Sequence, residues 1–243
     1  MANHKFRIAM LSFHSCPLAT LGGREAGGMN VYVRELSREL GRRGCRVDVF
    51  TRAKFADVPQ VVEFGEGARV IHLKAGRVAP HDRSLLVRHV PEFVDRMREF
   101  VGQHSLGYDL IHSHYWLSGE AARALRTAWD IPVVHMSHTL GVVKNLAAGS
   151  AAEREPPQRI ALEREVLRAV DCVVAATALE RAQLWWFYGV PETKIAVVPC
   201  GVNLSLFRPI PAGKAKAELG LRGEKIVLYV LSLIHISEPT RPY

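Results

Sequence analysis

Two patterns of hydrophobic and polar residues alternate along the chain. One is a short apolar run, and the other is a longer segment with apolar residues at helical spacing. The apolar runs occupy residues 6–13, 46–51, 70–73, 109–112, 131–135, 172–176 and 195–199. After the first run, Val33, Leu36 and Leu40 recur at the spacing that places them on one face of a helix. The alternation predicts an α/β fold in which helices cover a parallel sheet.

Two of the predicted helices have recognisable ends. Thr177 and Glu180 form a capping box that opens one helix, and Gly189 closes it. Pro156 and Pro157 suit the start of another helix, because proline fits the first helical turn. These end signals agree with the pattern of strands.

An apolar stripe runs through residues 85–101 beside Arg88, Arg96 and Arg98. It fits either a helix on a membrane surface or a helix packing on a sheet. We predict packing on the sheet and no membrane contact, because any sheet-covering helix has a stripe of this width. The apolar run at residues 8–13 is far shorter than the ~18 residues of a membrane span, and no signal-peptide cleavage pattern accompanies it. We therefore expect a cytoplasmic protein.

The composition narrows the choice of partners. The 243 residues are 48% hydrophobic and 23% charged, which suits a globular chain of one large or two small domains. A formal net charge of +8 favours anionic ligands. Lysines and arginines are scattered and do not interleave with aromatics, so we expect small phosphorylated ligands and no nucleic acid. The four cysteines form no Cys-x-x-Cys pair, which indicates buried thiols.

Polar clusters follow several predicted strands at their carboxyl ends, where ligands bind in open parallel sheets. The clusters occupy residues 27–30, 112–116, 135–139 and 199–203. Gly27 and Gly28 precede a helix whose first amides lack helical partners, and together these features make an anion-binding corner. A tight turn that binds nothing would show the same glycine pair.

The histidines of these clusters raise the question of a metal site. His112 and His114 share a strand face, and His135 and His138 end the neighbouring strand. Supporting carboxylates are few and no His-x-x-x-His helix exists, so we expect no metal and neutral, hydrogen-bonding histidines. We also expect no serine nucleophile, because the chain has no Gly-x-Ser-x-Gly elbow.

The carboxyl ends of the predicted strands could also hold a dinucleotide. Asp48 lies 20 residues after Gly28, where the ribose-binding acid of a Rossmann unit belongs. The glycines, however, do not follow the Gly-x-Gly-x-x-Gly spacing. We therefore expect Asp48 to be a solvated strand residue. A dinucleotide-dependent oxidoreductase stays open only as the third enzyme function, after the two that are named below.

Four motifs together resemble those of retaining GT-B glycosyltransferases. They are GGMNVYV at 27–33, HSHYWLSG at 112–119, His138 and Thr139 with Lys144 and Asn145, and PCGVN ending at Asn203. The resemblance extends from residue 5 to about residue 230. Within the superfamily the motifs are most similar to those of D-inositol-3-phosphate glycosyltransferases, followed by bacterial sucrose-phosphate synthases.

The resemblance implies a Rossmann-like doubly wound parallel sheet, the N-terminal half of a GT-B fold with the second domain missing. It implies the N-terminal part of a retaining glycosyltransferase, which moves a sugar from a nucleotide-diphosphate sugar to a phosphorylated polyol or sugar acceptor. The partners are then small-molecule substrates, no cofactor is required, and a homodimer is an option for the full-length form. We expect the chain alone to be inactive as a transferase.

The resemblance also implies roles for individual residues. Gly27 and Gly28 would approach the donor diphosphate, and His138, the catalytic candidate, would contact the transferred sugar. The implied acceptor-binding residues are Asn30, Arg83, Tyr115, Thr139 and Arg159. Arg83 stands where the family pattern places a lysine. The arginine keeps the positive charge but alters the geometry of the contact. We interpret Glu163 and Glu165 as surface ion-pair partners.

The end of the chain departs from the family pattern. We predict an N-terminal acceptor-binding domain over residues 1–207, and a linker with the first strand of a truncated donor domain over residues 208–230. Pro209, Pro211 and Gly213 indicate the linker, and residues 225–230 are the predicted strand. Residues 231–243 match no fold element, and we interpret them as an anomalous tail from a truncated or chimeric reading frame. Two alternatives to a transferase stay open: a nucleotide-sugar epimerase of GT-B fold, and a stand-alone sugar-phosphate binding module.

Overall fold

The computed structural model describes residues 5–20, 27–77, 83–221 and 223–227. The chain divides into two compact units, Met1–Pro199 and Cys200–Tyr243. Each unit is described by itself. The predicted boundary after residue 207 stays a prediction.

The described part of the first unit forms an eight-stranded sheet with the order β3-β4-β2-β1-β5-β6-β7-β8. Its strands are β1 (Arg7–Leu11), β2 (Arg46–Arg52), β3 (Val61–Gly65), β4 (Ala68–Leu73), β5 (Leu110–His114), β6 (Val133–Met136), β7 (Cys172–Ala175) and β8 (Ile195–Val197). All neighbours pair in parallel except β3, which is antiparallel to β4. The predicted α/β fold is confirmed, with one antiparallel edge added.

Helices connect the strands and cover both faces of the sheet. They are α1 (Gly28–Arg42), α2 (Arg83–Leu86), α3 (Val90–Gln103), α4 (Tyr115–Trp129), α5 (Gly141–Ala147), α6 (Pro157–Ala169) and α7 (Ala178–Tyr188), with short 3₁₀ turns at Val87–His89, Ala151–Glu153 and Glu192–Lys194. Val33 of α1 packs with Met10 and Val49 on one face. The larger core lies on the other face, where α3 and α4 bury Phe93 and Leu117.

The predicted helix ends are confirmed with one change of detail. Thr177 Oγ1 accepts a hydrogen bond from the Glu180 amide at 3.0 Å, and Gly189 closes α7 with φ +67°. The Glu180 carboxylate, however, accepts from the amide of Ala176 and not from that of Thr177. Pro157 begins α6.

The apolar stripe at residues 85–101 packs on the sheet, as predicted. Phe93, Met97 and Phe100 are buried, and Phe93 makes an edge contact with Phe13, which lies two residues beyond the end of β1. Leu85, in the short helix before α3, is 48% exposed. Over the described residues, no helix has the length and apolar character needed to cross a membrane. The cytoplasmic location stays a prediction.

Two expectations, one about Asp48 and one about the cysteines, were wrong. Asp48 lies near the start of β2 and is 7% exposed; it accepts hydrogen bonds from Arg69 at 2.7 and 3.0 Å and from the Tyr108 hydroxyl at 2.6 Å. It is therefore a buried ion-pair partner, away from the carboxyl end of its strand, and cannot take the ribose role. Nor are the thiols buried: Cys16, Cys45 and Cys172 are partly exposed, and Cys200, in the second unit, is exposed.

Within residues 200–221 and 223–227, the described part of the second unit, the chain is irregular apart from α8 (Ala212–Glu218), which lies within the segment predicted to be a linker. Asn203 organises the turn before it, because its side-chain oxygen accepts from the amides of Ser205 and Leu206 at 3.0 and 3.2 Å. Residues 225–227 of the predicted strand 225–230 are not in a strand. Residues 228–230 and the predicted tail 231–243 lie outside the described residues.

Candidate functional site

The candidate site lies where the order of the strands reverses. From β1 the chain builds β2 and β4 on one side, then returns to place β5 on the other side of β1. Such a reversal leaves a crevice at the carboxyl ends of the strands. Here α1 follows β1 and α4 follows β5, so both helices begin at this crevice.

The glycine corner at the start of α1 is held by Asn30. The Gly27 amide donates to Asn30 Oδ1 at 3.0 Å, and Asn30 Nδ2 donates to the Cys16 carbonyl at 2.7 Å. Asn30 is 2% exposed, so its amide group fixes the loop from within. Gly28 is exposed, and a Cβ built on it would meet nothing within 4 Å. Gly28 is thus the more accessible glycine of this corner.

The histidines at the ends of β5 and β6 form a connected group. His114 Nδ1 and His138 Nε2 share a hydrogen bond of 2.9 Å, and the His112 ring lies 4.3 Å from that of His114. Tyr32 of α1 covers this group, with its ring centroid 5.3 Å from that of His138. The crevice therefore joins α1 to both strands through aromatic contacts.

Burial sets the charge of these histidines. It lowers the pKa of His112 and of His138 to about 4 and that of His135 to about 3, helped at the latter two by neighbouring imidazoles. All three are therefore neutral near pH 7. Among the residues that the structure describes, no group of three or more His, Cys, Asp or Glu side chains could hold a metal ion.

Arg159 of α6 lies at the centre of a second cluster. Its Nε donates to Glu163 at 2.8 Å, its Nη1 to Glu155 at 2.6 Å and its Nη2 to Thr139 Oγ1 at 3.0 Å. The guanidinium also lies 5.0 Å from the centroid of the Tyr115 ring. Tyr115, Thr139 and Arg159, distant in sequence, thus meet at the crevice.

The interpretation of Glu163 as a surface residue was wrong. Glu163 is 3% exposed and accepts hydrogen bonds from Arg159, from the Gly141 amide at 2.9 Å and from the Tyr188 hydroxyl. Glu165, two residues further on, lies on the outer face of α6 and pairs with Arg123, as expected. Two residues along a helix turn the side chain to a different face, which explains the different outcome.

Two residues of the crevice have a left-handed backbone. Tyr115 has φ +72° and His138 has φ +58°. Non-glycine residues in this region carry a strain of roughly 1–3 kcal/mol and concentrate at functional sites. Both residues were already site candidates from the sequence, on independent grounds.

A sequence profile described as "Glycosyl transferase 4-like domain" matches residues 27–201. The chain belongs to this family. The matched region begins at the glycine corner and includes the histidine group and the Arg159 cluster.

Among similar proteins, D-inositol 3-phosphate glycosyltransferase of Kineococcus radiotolerans is 42% identical over 94% of this glycosyl transferase 4-like chain and 53% of its own length. The structure of sucrose-phosphate synthase from Thermosynechococcus elongatus superposes with a TM-score of 0.80 at 34% identity, over 90% of this chain and 53% of that one. Anabaena HepE in complex with UDP-glucose has a TM-score of 0.56 at 14% identity, over 88% and 50% of the two chains, and so shows the fold alone. The chain spans about half the length of the relatives it matches.

The fold of this glycosyl transferase 4-like chain is therefore that of the N-terminal half of GT-B glycosyltransferases. Arg83 begins α2, but its side chain lies outside the described part of the chain. Of the predicted cluster 199–203, Pro199 ends the first unit and the remaining residues belong to the second. Their predicted place at the crevice stays a prediction.

Two aromatic neighbours of the site, His14 and Tyr32, were not predicted from the sequence. The His14 ring lies 4.6 Å from that of Tyr115, and Tyr32 covers His114 and His138. Signals for both were present: His14 directly follows the first apolar run, and Tyr32 lies inside the GGMNVYV motif. Glu155 was missed as well, since no motif contains it.

Proposed function

We propose that this glycosyl transferase 4-like chain is the acceptor-binding part of a retaining glycosyltransferase. The donor would be a nucleotide-diphosphate sugar and the acceptor a phosphorylated polyol or sugar, with no cofactor. The observation that carries the proposal is the meeting of Arg159, Thr139 and Tyr115 at the crevice that also holds the Gly28 corner and His138. The names of the relatives, an inositol-phosphate glycosyltransferase and a sucrose-phosphate synthase, fit a phosphorylated substrate or product.

The chemistry of the cluster suits an anionic acceptor. Arginine offers a planar fork of charged donors to a phosphate, and the hydroxyl groups of Thr139 and Tyr115 can add neutral donors. Holding the phosphate at Arg159 would orient the acceptor toward the donor before reaction. The exposed Gly28 amide region, at the positive end of α1, suits the donor diphosphate.

His138 would serve as a neutral contact to the transferred sugar. Burial keeps its imidazole uncharged near pH 7, so it can exchange a hydrogen bond but does not supply a proton as an acid. Its Nε2 is engaged by His114, which leaves Nδ1 to meet a sugar hydroxyl. We propose that a phosphate oxygen of the donor accepts the acceptor's proton, so that no protein base is needed.

The acceptor assignment is tested by calorimetric titration of the chain with inositol monophosphate. Arg159→Lys keeps the charge and loses the fork, so we expect affinity to fall about tenfold or more. Arg123→Lys is the matched control, because Arg123 makes a surface ion pair away from the crevice. Equal affinity of the Arg159→Lys variant and the wild type would contradict the assignment, provided circular dichroism shows that both are folded.

We further propose that the chain alone does not transfer sugar. A departing diphosphate needs preorganised positive charge beyond the Gly28 corner. Incubation with UDP-glucose and inositol monophosphate should therefore give no glycoside, whereas conversion of the nucleotide sugar without an acceptor would support the epimerase. Binding of the phosphorylated polyol as the complete activity of a stable chain would support the stand-alone module.

A further inference from the structure

Arg159 is enclosed, although the proposed function requires it to meet a ligand. Its side chain is only 3% exposed. The Tyr115 ring covers the guanidinium at 5.0 Å, and carboxylates lie at two of its nitrogens. An acceptor phosphate cannot form a forked contact with Arg159 unless one of its present partners leaves.

The three partners of the guanidinium differ in how firmly they are held. Glu163 is 3% exposed and is fixed by the Gly141 amide and the Tyr188 hydroxyl, so it cannot leave without disturbing α5 and α7. Thr139 is neutral and can contact a ligand while it stays in place. Glu155 is more accessible, with a side chain that is 19% exposed. Glu155 is therefore the partner that can be displaced.

The carboxylate of Glu155 lies between two cations. It accepts from Arg159 Nη1 at 2.6 Å and from the ammonium group of Lys144, whose side chain is 47% exposed. Burial raises the pKa of Glu155, but Lys144 and Arg159 outweigh this effect and hold the pKa below its usual value. The carboxylate is thus ionised near pH 7 and occupies a position between two positive groups that suits a phosphate.

The backbone around Glu155 is tied down independently of its side chain. The Glu155 amide donates to Asn145 Oδ1 at 2.6 Å, and Asn145 Nδ2 donates to the Glu155 carbonyl at 3.1 Å. Rotation of the Glu155 side chain can therefore clear the two cations without movement of the main chain. Lys144 thus contacts the side chain of Glu155, whereas Asn145 holds its backbone.

We propose that Glu155 is a specificity-determining residue, whose carboxylate occupies the phosphate position between Lys144 and Arg159 until an acceptor dianion displaces it. The inference rests on the proposed function and adds a reason for selectivity. A phosphate carries a charge of about −1.5 to −2 near pH 7, so it outcompetes a single carboxylate at two cations. A neutral polyol offers no charge and leaves Glu155 in place.

The test compares Glu155→Gln with the wild-type chain by calorimetric titration. Glutamine keeps the shape and removes the competing charge, so inositol monophosphate should bind about tenfold tighter, while binding of neutral inositol should not change. A gain in affinity is a result that damage to the fold does not produce. Glu155→Asp, which keeps the charge, should stay close to the wild type.

Glu165→Gln is the matched control, because it removes the same charge from a surface pair with Arg123. It should leave phosphate affinity within about twofold, since exposed pairs interact weakly with distant ligands. If the wild type binds inositol monophosphate and Glu155→Gln binds it equally or more weakly, the role of Glu155 is wrong and the proposed function stands. If none of the four proteins binds it, the proposed acceptor is wrong, and the role of Glu155 falls with it.

Discussion

Single residues in this chain show how a charge is kept inside a protein. Arg159 and Glu163 are both 3% exposed, and each has further polar partners besides the other. A buried pair of this kind is tolerated only when all its donors and acceptors are satisfied. The pair is therefore part of both the hydrogen-bonded interior and the candidate site.

Removal of one member should be costly. We expect Glu163→Ala to lower the free energy of unfolding by about 3–5 kcal/mol, because it leaves Arg159 buried with one carboxylate fewer. Glu165→Ala, which breaks an exposed pair, should cost less than about 1 kcal/mol. Urea unfolding of the three proteins measures both values. Similar losses for the two variants would show that Glu163 is not buried in solution.

The strands and helices that were predicted from the sequence are those with a strong apolar pattern. Central strands are buried on both faces and stood out as continuous apolar runs, and so seven of the eight strands that the structure describes were predicted. β3 was missed because Val61 and Glu63 are exposed at the edge of the sheet, which leaves no apolar run. α8 was missed because Pro209, Pro211 and Gly213 suggested a linker, whereas Pro211 precedes the helix as its N-cap.

Part of the candidate site was predictable because its motif residues follow predicted strands. Motif residues at strand ends could be assigned to one edge from topology alone, and Tyr115, Thr139 and Arg159 do meet there. Burial could not be read in the same way. The depth of Glu163 depends on which face of α6 meets α5 and α7, and a helix with arginines on several sides does not reveal this.

The contact between α4 and α6 depends on a glycine. A Cβ at Gly119 would lie 2.4 Å from Val166 Cγ1 and 3.1 Å from His135 Cε1. We expect Gly119→Ala to destabilise the protein by about 1–3 kcal/mol, because Val166 is buried and branched and cannot yield. The double variant Gly119→Ala with Val166→Ala should recover part of that loss.

Gly102 offers the matched control for this substitution. It lies in α3, and a Cβ there would meet nothing within 4 Å. Gly102→Ala should be neutral or stabilise by up to about 1 kcal/mol, because alanine favours the helix. Thermal unfolding of all four proteins separates crowding from helix propensity. A destabilised Gly102→Ala together with an unaffected Gly119→Ala would refute the close packing of α4 on α6.

Over the whole molecule, the buried histidines tie stability to pH. Burial lowers the pKa of His112 and His138 to about 4 and that of His135 to about 3, against 6.5 for a free imidazole. Below pH 6.5 the unfolded chain therefore binds more protons than the folded chain. The stability that neutral burial contributes is complete above this pH and is lost as the pH falls toward the folded values.

We expect the free energy of unfolding to fall between pH 6.5 and 5 by up to about 1.4 kcal/mol per pH unit for each of these histidines. Carboxylates with lowered pKa values, such as Glu39 and Asp171, lose their contribution only below about pH 4.5. Burial raises the pKa of Glu120 and Glu180, whose protonation acts in the opposite direction, so the histidine contribution is taken from the difference between wild type and variant. Chemical unfolding at several pH values measures the slope. A His112→Asn variant should reduce it by about one proton, and a flat profile would contradict the burial of the group.

The reversal of strand order at β1 has a consequence for the way this molecule responds to a ligand. Gly28, Tyr115, Thr139 and Arg159 come together only when the three consecutive strands β1, β5 and β6 are paired and α6 is packed beside them. A ligand that contacts residues from all of these elements would therefore bind the assembled sheet better than any separate part of it. A ligand that binds only the folded unit raises its free energy of unfolding, and tighter binding raises it further. A ligand of this crevice would therefore also hold the sheet and α6 together.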